Sequence, residues 1–216
     1  MRGGPVIAVD GPAAAGKGTL ARKLAEALEL PYLDTGLLYR AVGRLALDAG
    51  QDPAQPAQKF AQALTPADMQ RKDLRTPEVA LAASKVAAQP AVRAALVETQ
   101  RRFAAERGAV LDGRDIGTAI FPDADVKLFI TASPATRALR RFLQSGGNTS
   151  AADAQAQLGQ MEEALRARDE ADASRDSAPM CVADDAYVIE TDTLDAQAVL
   201  AEALRFARER LVTTRG

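Results

Sequence analysis

Apolar positions along the chain gather into five short runs, at residues 6–9, 31–33, 109–111, 126–130 and 187–189. Each is too short for a helix and is bounded by turn-forming or polar residues, so each reads as a buried strand. Between the runs the pattern changes to helical spacing. Leu20, Leu24 and Leu28 recur every four residues, with Arg22, Lys23 and Glu26 between them, which predicts an amphipathic helix. A last helix is predicted over about 194–211, with Val199, Leu200, Leu204 and Leu211 on its apolar side. Strands alternating with helices predict an α/β fold: a five-stranded parallel sheet covered on both faces, three layers in all.

The first two elements enclose the most informative stretch, Gly11-Pro12-Ala13-Ala14-Ala15-Gly16-Lys17-Gly18-Thr19. It fits G-x-x-x-x-G-K, with the hydroxyl of Thr19 one place later than usual. A glycine-bounded loop between strand and helix turns consecutive backbone N–H groups around phosphate oxygens, and the helix N-terminus adds a favourable dipole. Lys17 would reach the outer phosphates of a nucleoside triphosphate such as ATP, and Thr19 would help hold Mg²⁺. An overlapping dinucleotide fingerprint, G-x-G-x-x-A at 16–21 with Asp34 beyond it, fails on geometry. Its first glycine should follow the strand almost at once, Gly16 lies six residues past Asp10, and Lys17 would have no role.

Two regions break the alternation. Residues 37–107 are helical in pattern and rich in Ala and Gln, punctuated by Pro53, Pro56, Pro66, Pro77 and Pro90. Residues 137–175 run through a Ser-Gly-Gly-Asn turn at 145–148 into a charged helix. Such insertions in a nucleotide-binding core serve either as substrate lobes and lids or as surface elaboration. The expected division is a core of 1–36, 108–136 and 176–216, with inserted regions at 37–107 and 137–175.

Composition narrows the chemistry. The 216 residues suit one domain, 47% of them are apolar, and the net charge is −2. That balance argues against nucleic acid as a partner. Arginine outnumbers lysine 21 to 6, which suits bidentate phosphate contacts and equally follows from GC-rich coding. The chain has no histidine, which excludes serine triads, imidazole bases and most zinc sites. The single cysteine, Cys181, is expected as a half-buried thiol in a reducing compartment. With neither a signal-like segment nor an apolar span, the expectation is a cytoplasmic protein without membrane partners, and a monomer.

Several polar clusters lie where an α/β sheet binds ligands. Asp34-Thr35-Gly36 ends the second strand and leads to Tyr39-Arg40, either as a helix cap or as a ligand contact. After the third strand comes Asp112-Gly-Arg114-Asp115, either a tight turn or a site. In a site, Asp112 would serve Mg²⁺, Arg114 would fork onto a phosphate, and Asp115 would accept from a base amino group. Arg137, Arg140 and Arg141 open the second insertion, and Arg166, Arg168, Asp172 and Arg175 lie near its close. Charged helix faces are usually only solvated. Phosphoryl transfer, however, depends on positioned cations, so Lys17, Arg114, Arg140 and Arg141 are the candidate catalytic groups. Ser84 and Arg93, read alone, are ordinary surface positions.

Taken together, the phosphate loop, Asp-Thr-Gly-Leu-Leu-Tyr-Arg at 34–40, Arg-Thr-Pro-Glu-Val-Ala at 75–80, Asp-Gly-Arg-Asp-Ile-Gly-Thr at 112–118, Phe-Pro-Asp-Ala at 121–124 and Arg-Asp-Glu-Ala-Asp-Ala-Ser-Arg at 168–175 resemble the bacterial cytidylate kinases over nearly the whole chain. The resemblance implies a nucleoside monophosphate kinase fold, with 37–107 as the monophosphate-binding insertion and 137–175 as the lid region, and ATP-dependent phosphorylation of CMP and dCMP. It implies that Ser84, Arg93 and Asp115 read the cytosine edge and that Arg40, Arg114, Arg168 and Arg175 hold the acceptor phosphate. Asp172 would then meet the ribose, and Thr35 would line the acceptor pocket. There are departures. Thr35 stands where the family often has serine, and Ala14 replaces a common glycine and is expected at φ below zero. Residues 51–75 read as helical and proline-punctuated where bacterial members usually carry a small β-rich insert. Alternative functions are a kinase for UMP, AMP or a small molecule such as shikimate, and a non-catalytic nucleotide-binding regulator. A guanine-nucleotide switch is disfavoured, because the only asparagine, Asn148, lies in no Asn-Lys-x-Asp motif.

Overall fold

The computed structural model describes residues 3–214. Its sheet has five strands, β1 (Val6–Asp10), β2 (Tyr32–Asp34), β3 (Ala109–Asp112), β4 (Val126–Thr131) and β5 (Tyr187–Glu190), in the order β2-β3-β1-β4-β5. All four pairings are parallel. The strands lie within about a residue of their sequence-predicted positions. Every residue of β1 is buried, as a central parallel strand requires. Ile7 and Val9 point to one face, where they pack with Leu20 and Leu24 of α1 (Lys17–Leu28) and with Val199 and Ala203 of α9 (Ala196–Thr214). Val6 and Ala8 point to the other face, against Leu111, Ile116, Ile120 and Phe121.

The long first insertion is helical among the described residues, with α2 (Thr35–Asp48), α3 (Gln58–Gln62), α4 (Pro66–Met69), a 3₁₀ turn (Lys72–Arg75), α5 (Pro77–Ala87) and α6 (Pro90–Ala105). Its prolines act locally. Pro66, Pro77 and Pro90 each open a helix, where a missing N–H costs nothing. The Thr65 and Thr76 hydroxyls cap α4 and α5 by accepting from Asp68 N and Val79 N. Leu38, Val42, Val86, Val92 and Leu96 give this lobe its own apolar cluster. The second insertion is a helix pair, α7 (Pro134–Gln144) and α8 (Ala154–Ala173), joined through the glycine turn.

Three expectations are corrected. Ala14 has φ +62, not a negative value, because the phosphate loop imposes left-handed backbone there whatever the residue. Arg93 is buried at 4% exposure rather than at the surface, because α6 packs it inward toward Asp115. Cys181 is exposed, since it lies in the irregular stretch between α8 and β5 and packs under neither. Residues 116–120 form a π-helical turn that the sequence pattern does not announce.

Candidate active site

Gly11 opens the phosphate loop at φ +134, and a side chain on it would begin 2.0 Å from the Ile130 carbonyl oxygen. Only glycine fits there. The loop closes onto α1 with Gly16 in the left-handed N-cap position, leaving the first amides of the helix free of intrahelical partners. Lys17 is 5% exposed and its Nζ donates to the Pro12 carbonyl at 2.8 Å, folding the side chain back across the loop. The Ala15 carbonyl accepts from the Thr191 hydroxyl at 3.2 Å, and the Ala13 carbonyl accepts from Arg137 at 3.2 Å. These two contacts tie the loop to α7 and to the segment after β5.

Ala13, Ala14, Gly16, Lys17, Gly18 and Thr19 line a cleft of about 640 Å³ at the carboxyl ends of the strands. Among the described residues, ten lysine and arginine side chains face it, against four carboxylates, Asp34, Asp112, Asp115 and Asp172. In a chain of net charge −2, that concentration of cations marks an anion site. Burial and like charges both act on it. Burial, then repulsion from Arg114, brings the Lys17 ammonium down to about 7. Burial and Arg114 bring Arg168 down to about 10. Arg40 and Arg175 are lowered as well, chiefly by burial.

Strand register places the acids. Asp34 at the end of β2 is the direct neighbour of Asp112 at the end of β3. Asp112 lies against the start of α1, its Oδ2 3.1 Å from where a side chain on Gly18 would begin. Burial pushes its carboxyl up, and Lys17 partly offsets this. Thr35 is buried, and its hydroxyl donates to the Asp112 carbonyl at 2.8 Å, fixing the start of α2 to the end of β3. Asp34 occupies the N-cap position of α2 without a side-chain cap bond; it pairs instead with Arg75 at 3.2 Å.

Across the cleft, Asp115 and Arg93 form a buried ion pair. The Arg93 guanidinium also stands 5.6 Å from the Tyr39 ring centre. Ser84 lines the same corner from α5, its hydroxyl donating to the Ala80 carbonyl at 3.2 Å. Arg114 pairs with Asp172 at 3.2 Å, and Arg175 reaches the other oxygen of Asp172 at 3.6 Å. Arg40 donates to the Leu74 carbonyl at 2.8 Å. The buried Nε atoms of Arg168 and Arg175 have no hydrogen-bond partner, donors of the kind a phosphate oxygen satisfies. Arg140 and Arg141 line the cleft from α7. Arg140, however, donates to the hydroxyl and carbonyl of Thr191, so it anchors the loop after β5.

All of the candidate site residues except Gly11, Pro12, Ala15, Arg137 and Arg166 therefore line one cleft; the first three belong to the wall of the phosphate loop, Arg137 is buried against Asp169 and the Ala13 carbonyl, and the exposed Arg166 pairs with Glu162. Sequence reasoning missed Asp34 as a partner of Asp112, Arg75 as its cation, and Asp10, whose carboxylate is buried behind the loop at 5% exposure. The strand-end position of Asp34 was a usable signal. Arg75 opens the Arg-Thr-Pro-Glu-Val-Ala segment, but no spacing assigned it a partner.

A parallel α/β sheet with this loop at a strand end and a cation-lined cleft beside it defines a phosphate-loop nucleotide-binding protein. The cytidylate kinase family profile matches residues 7–209. A cytidylate kinase of Granulibacter bethesdensis is 58% identical over 207 residues, spanning 95% of this chain and 97% of that one. Cytidylate kinases of Acidiphilium cryptum and Paramagnetospirillum magneticum are 57% and 53% identical, over 88% and 92% of this chain and 89% and 95% of theirs. The chain belongs to the cytidylate kinase family. A crystal structure of an uncharacterized protein from Eubacterium ventriosum shares the fold, with a TM-score of 0.53 at 13% identity over 94% of this chain and 98% of that one.

Proposed function

We propose that this protein transfers the γ-phosphoryl group of ATP to CMP and dCMP. The observation that carries the reading is one cleft with two unlike ends. At one end is the glycine-bounded loop with Lys17. At the other is the buried Arg93–Asp115 pair beside Ser84. Between them stand Arg40, Arg114, Arg168 and Arg175, two of which hold unpartnered buried donors. Triphosphate fits the first end, a pyrimidine with an exocyclic amine fits the second, and the arginines suit the acceptor phosphate. Asp115 accepting from that amine discriminates against uracil, which offers an acceptor at the same place and would leave the carboxylate unpaired.

In this reading an oxygen of the CMP phosphate attacks the γ-phosphorus in line while the bond to the ADP β-phosphate oxygen breaks. The acceptor oxygen is already ionised, so no general base is required. Lys17, Arg114 and Arg141 stabilise charge on the transferring group, and Arg168, Asp172 and Arg175 position the acceptor. Residues 37–107 act as the acceptor-binding lobe on the core, and 137–175 act as a lid that excludes water.

The donors near the loop suit Mg²⁺: the Thr19 hydroxyl, the Asp112 carboxylate and its register neighbour Asp34 are hard oxygens. No group of three or more acidic, histidine or cysteine ligands occurs among the described residues, which agrees with an ion that keeps waters and phosphate oxygens as ligands. When bound, Mg²⁺ would neutralise charge on the β- and γ-phosphates, held through Thr19 and Asp112. No helix among the described residues is long and apolar enough to cross a membrane. The exposed, unpaired Cys181 supports a reducing, cytoplasmic setting, and we read the enzyme as a monomer.

A panel of acceptors tests the assignment: ADP formation from ATP with CMP, dCMP, UMP, AMP and shikimate. CMP and dCMP should dominate by kcat/KM. Preference for any acceptor without cytosine would overturn it.

A further inference from the structure

The mechanism above leaves the buried charge of Asp10 unused. Asp10 ends β1, is 5% exposed and immediately precedes Gly11. Its Oδ1 accepts from Ile116 N at 2.9 Å and its Oδ2 from Gly117 N at 2.8 Å. These are the first two residues of the π-helical turn Ile116–Ile120, whose N-cap residue is Asp115. Opening amides of a helical turn have no partner within it, and here a carboxylate from a different strand, more than a hundred residues away in sequence, takes both. Asp115 is thus held twice. Arg93 grips its side chain, and Asp10 fixes the backbone that follows it.

A buried carboxylate is costly unless it is hydrogen-bonded, and burial indeed pushes this carboxyl up to about 6 despite the two amides. A bridge between β1 and this turn for stability alone needs no charge. An ionised carboxylate supplies what a neutral side chain cannot: two acceptors aimed at two adjacent N–H groups. Because the residue after Asp10 starts the phosphate loop, the same side chain references the base-reading turn to the donor site.

We propose that Asp10 is a positioning residue for acceptor selection: it holds Asp115 at the height and angle needed to read the cytosine amine, in fixed register with the phosphate loop. This rests on the kinase reading above. Asp10 touches no substrate and acts through Asp115.

The test is Asp10→Asn, which keeps the volume but offers one acceptor and turns an NH₂ group toward the second amide. Affinities for CMP and UMP are measured by calorimetry, and kcat/KM by ADP formation, at a temperature where the variant is folded. The expected result is a fall of about tenfold in the CMP:UMP ratio, as for one lost charge-assisted hydrogen bond. In an Asp115→Asn background, Asp10→Asn should leave the ratio where Asp115→Asn alone puts it. The ratio does not depend on the active fraction, so a purely structural role would lower the melting temperature and leave the ratio unchanged; that outcome overturns the proposal. Additive loss in the double variant overturns it too. If Asp10→Asn does not fold, Asp10→Glu keeps the charge but adds a methylene, so the carboxylate can no longer accept squarely from both Ile116 N and Gly117 N. It should lower the ratio severalfold, and an unchanged ratio there is decisive against the idea. Absence of any cytosine preference in the parent protein would instead refute the kinase assignment.

Discussion

Lys17 offers the sharpest quantitative test, because ATP binding must change its charge. In the empty cleft the ammonium is buried, donates to a single carbonyl, and is brought down from 10.5 to about 7 by burial, then by Arg114, with Asp112 and Asp10 opposing. One unit above that value, at about pH 8, roughly nine-tenths of the molecules carry a neutral amine. A triphosphate brings several negative charges against the same nitrogen and restores its proton. Binding at about pH 8 should therefore take up close to 0.9 proton, falling to about 0.1 at pH 6. The assay is calorimetric titration with a non-hydrolysable ATP analogue in two buffers of different ionisation enthalpy, with Lys17→Met as the reference. The difference in uptake between parent and variant isolates Lys17 from Asp112 and other groups. Equal uptake in the two proteins at about pH 8 would refute the electrostatic account of the loop. The stability sign follows from the same shift. Between about 7 and 10.5 the unfolded chain holds a proton that the folded Lys17 has lost. The empty fold therefore carries the full charge penalty below about 7 and sheds it as pH rises through that window.

Asp10 titrates in the opposite sense. Its folded value, about 6, lies above the ordinary 3.8, chiefly because of burial, so the folded chain binds the extra proton in between. Stability should fall as pH rises from about 4 to 6, by up to about 3 kcal/mol from this group, and that slope should vanish in the melting curves of Asp10→Asn. Ala14→Gly relieves a left-handed alanine at φ +62 worth about 1 kcal/mol but loosens the unfolded chain by a similar amount. The melting free energy should shift by less than about 0.5 kcal/mol, and a loss above 1 would show that the methyl does more than sit in strained backbone. Arg93→Met strands the Asp115 carboxylate at a buried site. Thermal unfolding should register a loss of about 3–5 kcal/mol, whereas near-neutral stability would mean that the pair is solvated.

The sheet was legible because its information is local. Each strand is a compact apolar run, and the phosphate loop is nine consecutive residues whose spacing carries the geometry. The acceptor side was legible only in part, because its defining contacts are not local. Arg93 meets Asp115 across 22 positions, Arg75 meets Asp34 across 41, and Asp10 meets Ile116 across 106. No periodicity within one element records such pairings. Arg93 in particular looks like any polar position on a helix until α6 is packed against the turn after β3. The Ala14 error has a different origin. Residue type predicts a negative φ, but the loop must turn its amides inward, and that requirement outweighs a cost of about 1 kcal/mol. Cys181 misled for the simpler reason that an apolar neighbourhood in sequence, Pro-Met-Cys-Val, is not one in space.

Burial first, and the cation excess in the cleft second, explain why a lowered Lys17 and lowered arginines belong to the empty protein. Arg114 depresses both Lys17 and Arg168, and Arg168 in turn acts on Lys17. Donor-side and acceptor-side cations are thus within each other's field. An anion at either end screens this repulsion, so each substrate that enters lowers the cost of holding the other's cations charged. In water such a field would be screened within about 10 Å. In a buried cleft it persists, and it is set by side chains anchored through carbonyls and carboxylates: Arg40 by Leu74, Arg114 by Asp172, and Arg140 by Thr191. Charges fixed before the substrates arrive need no reorganisation when negative charge spreads over the transferring phosphoryl oxygens. That is how a site without a histidine can catalyse the transfer.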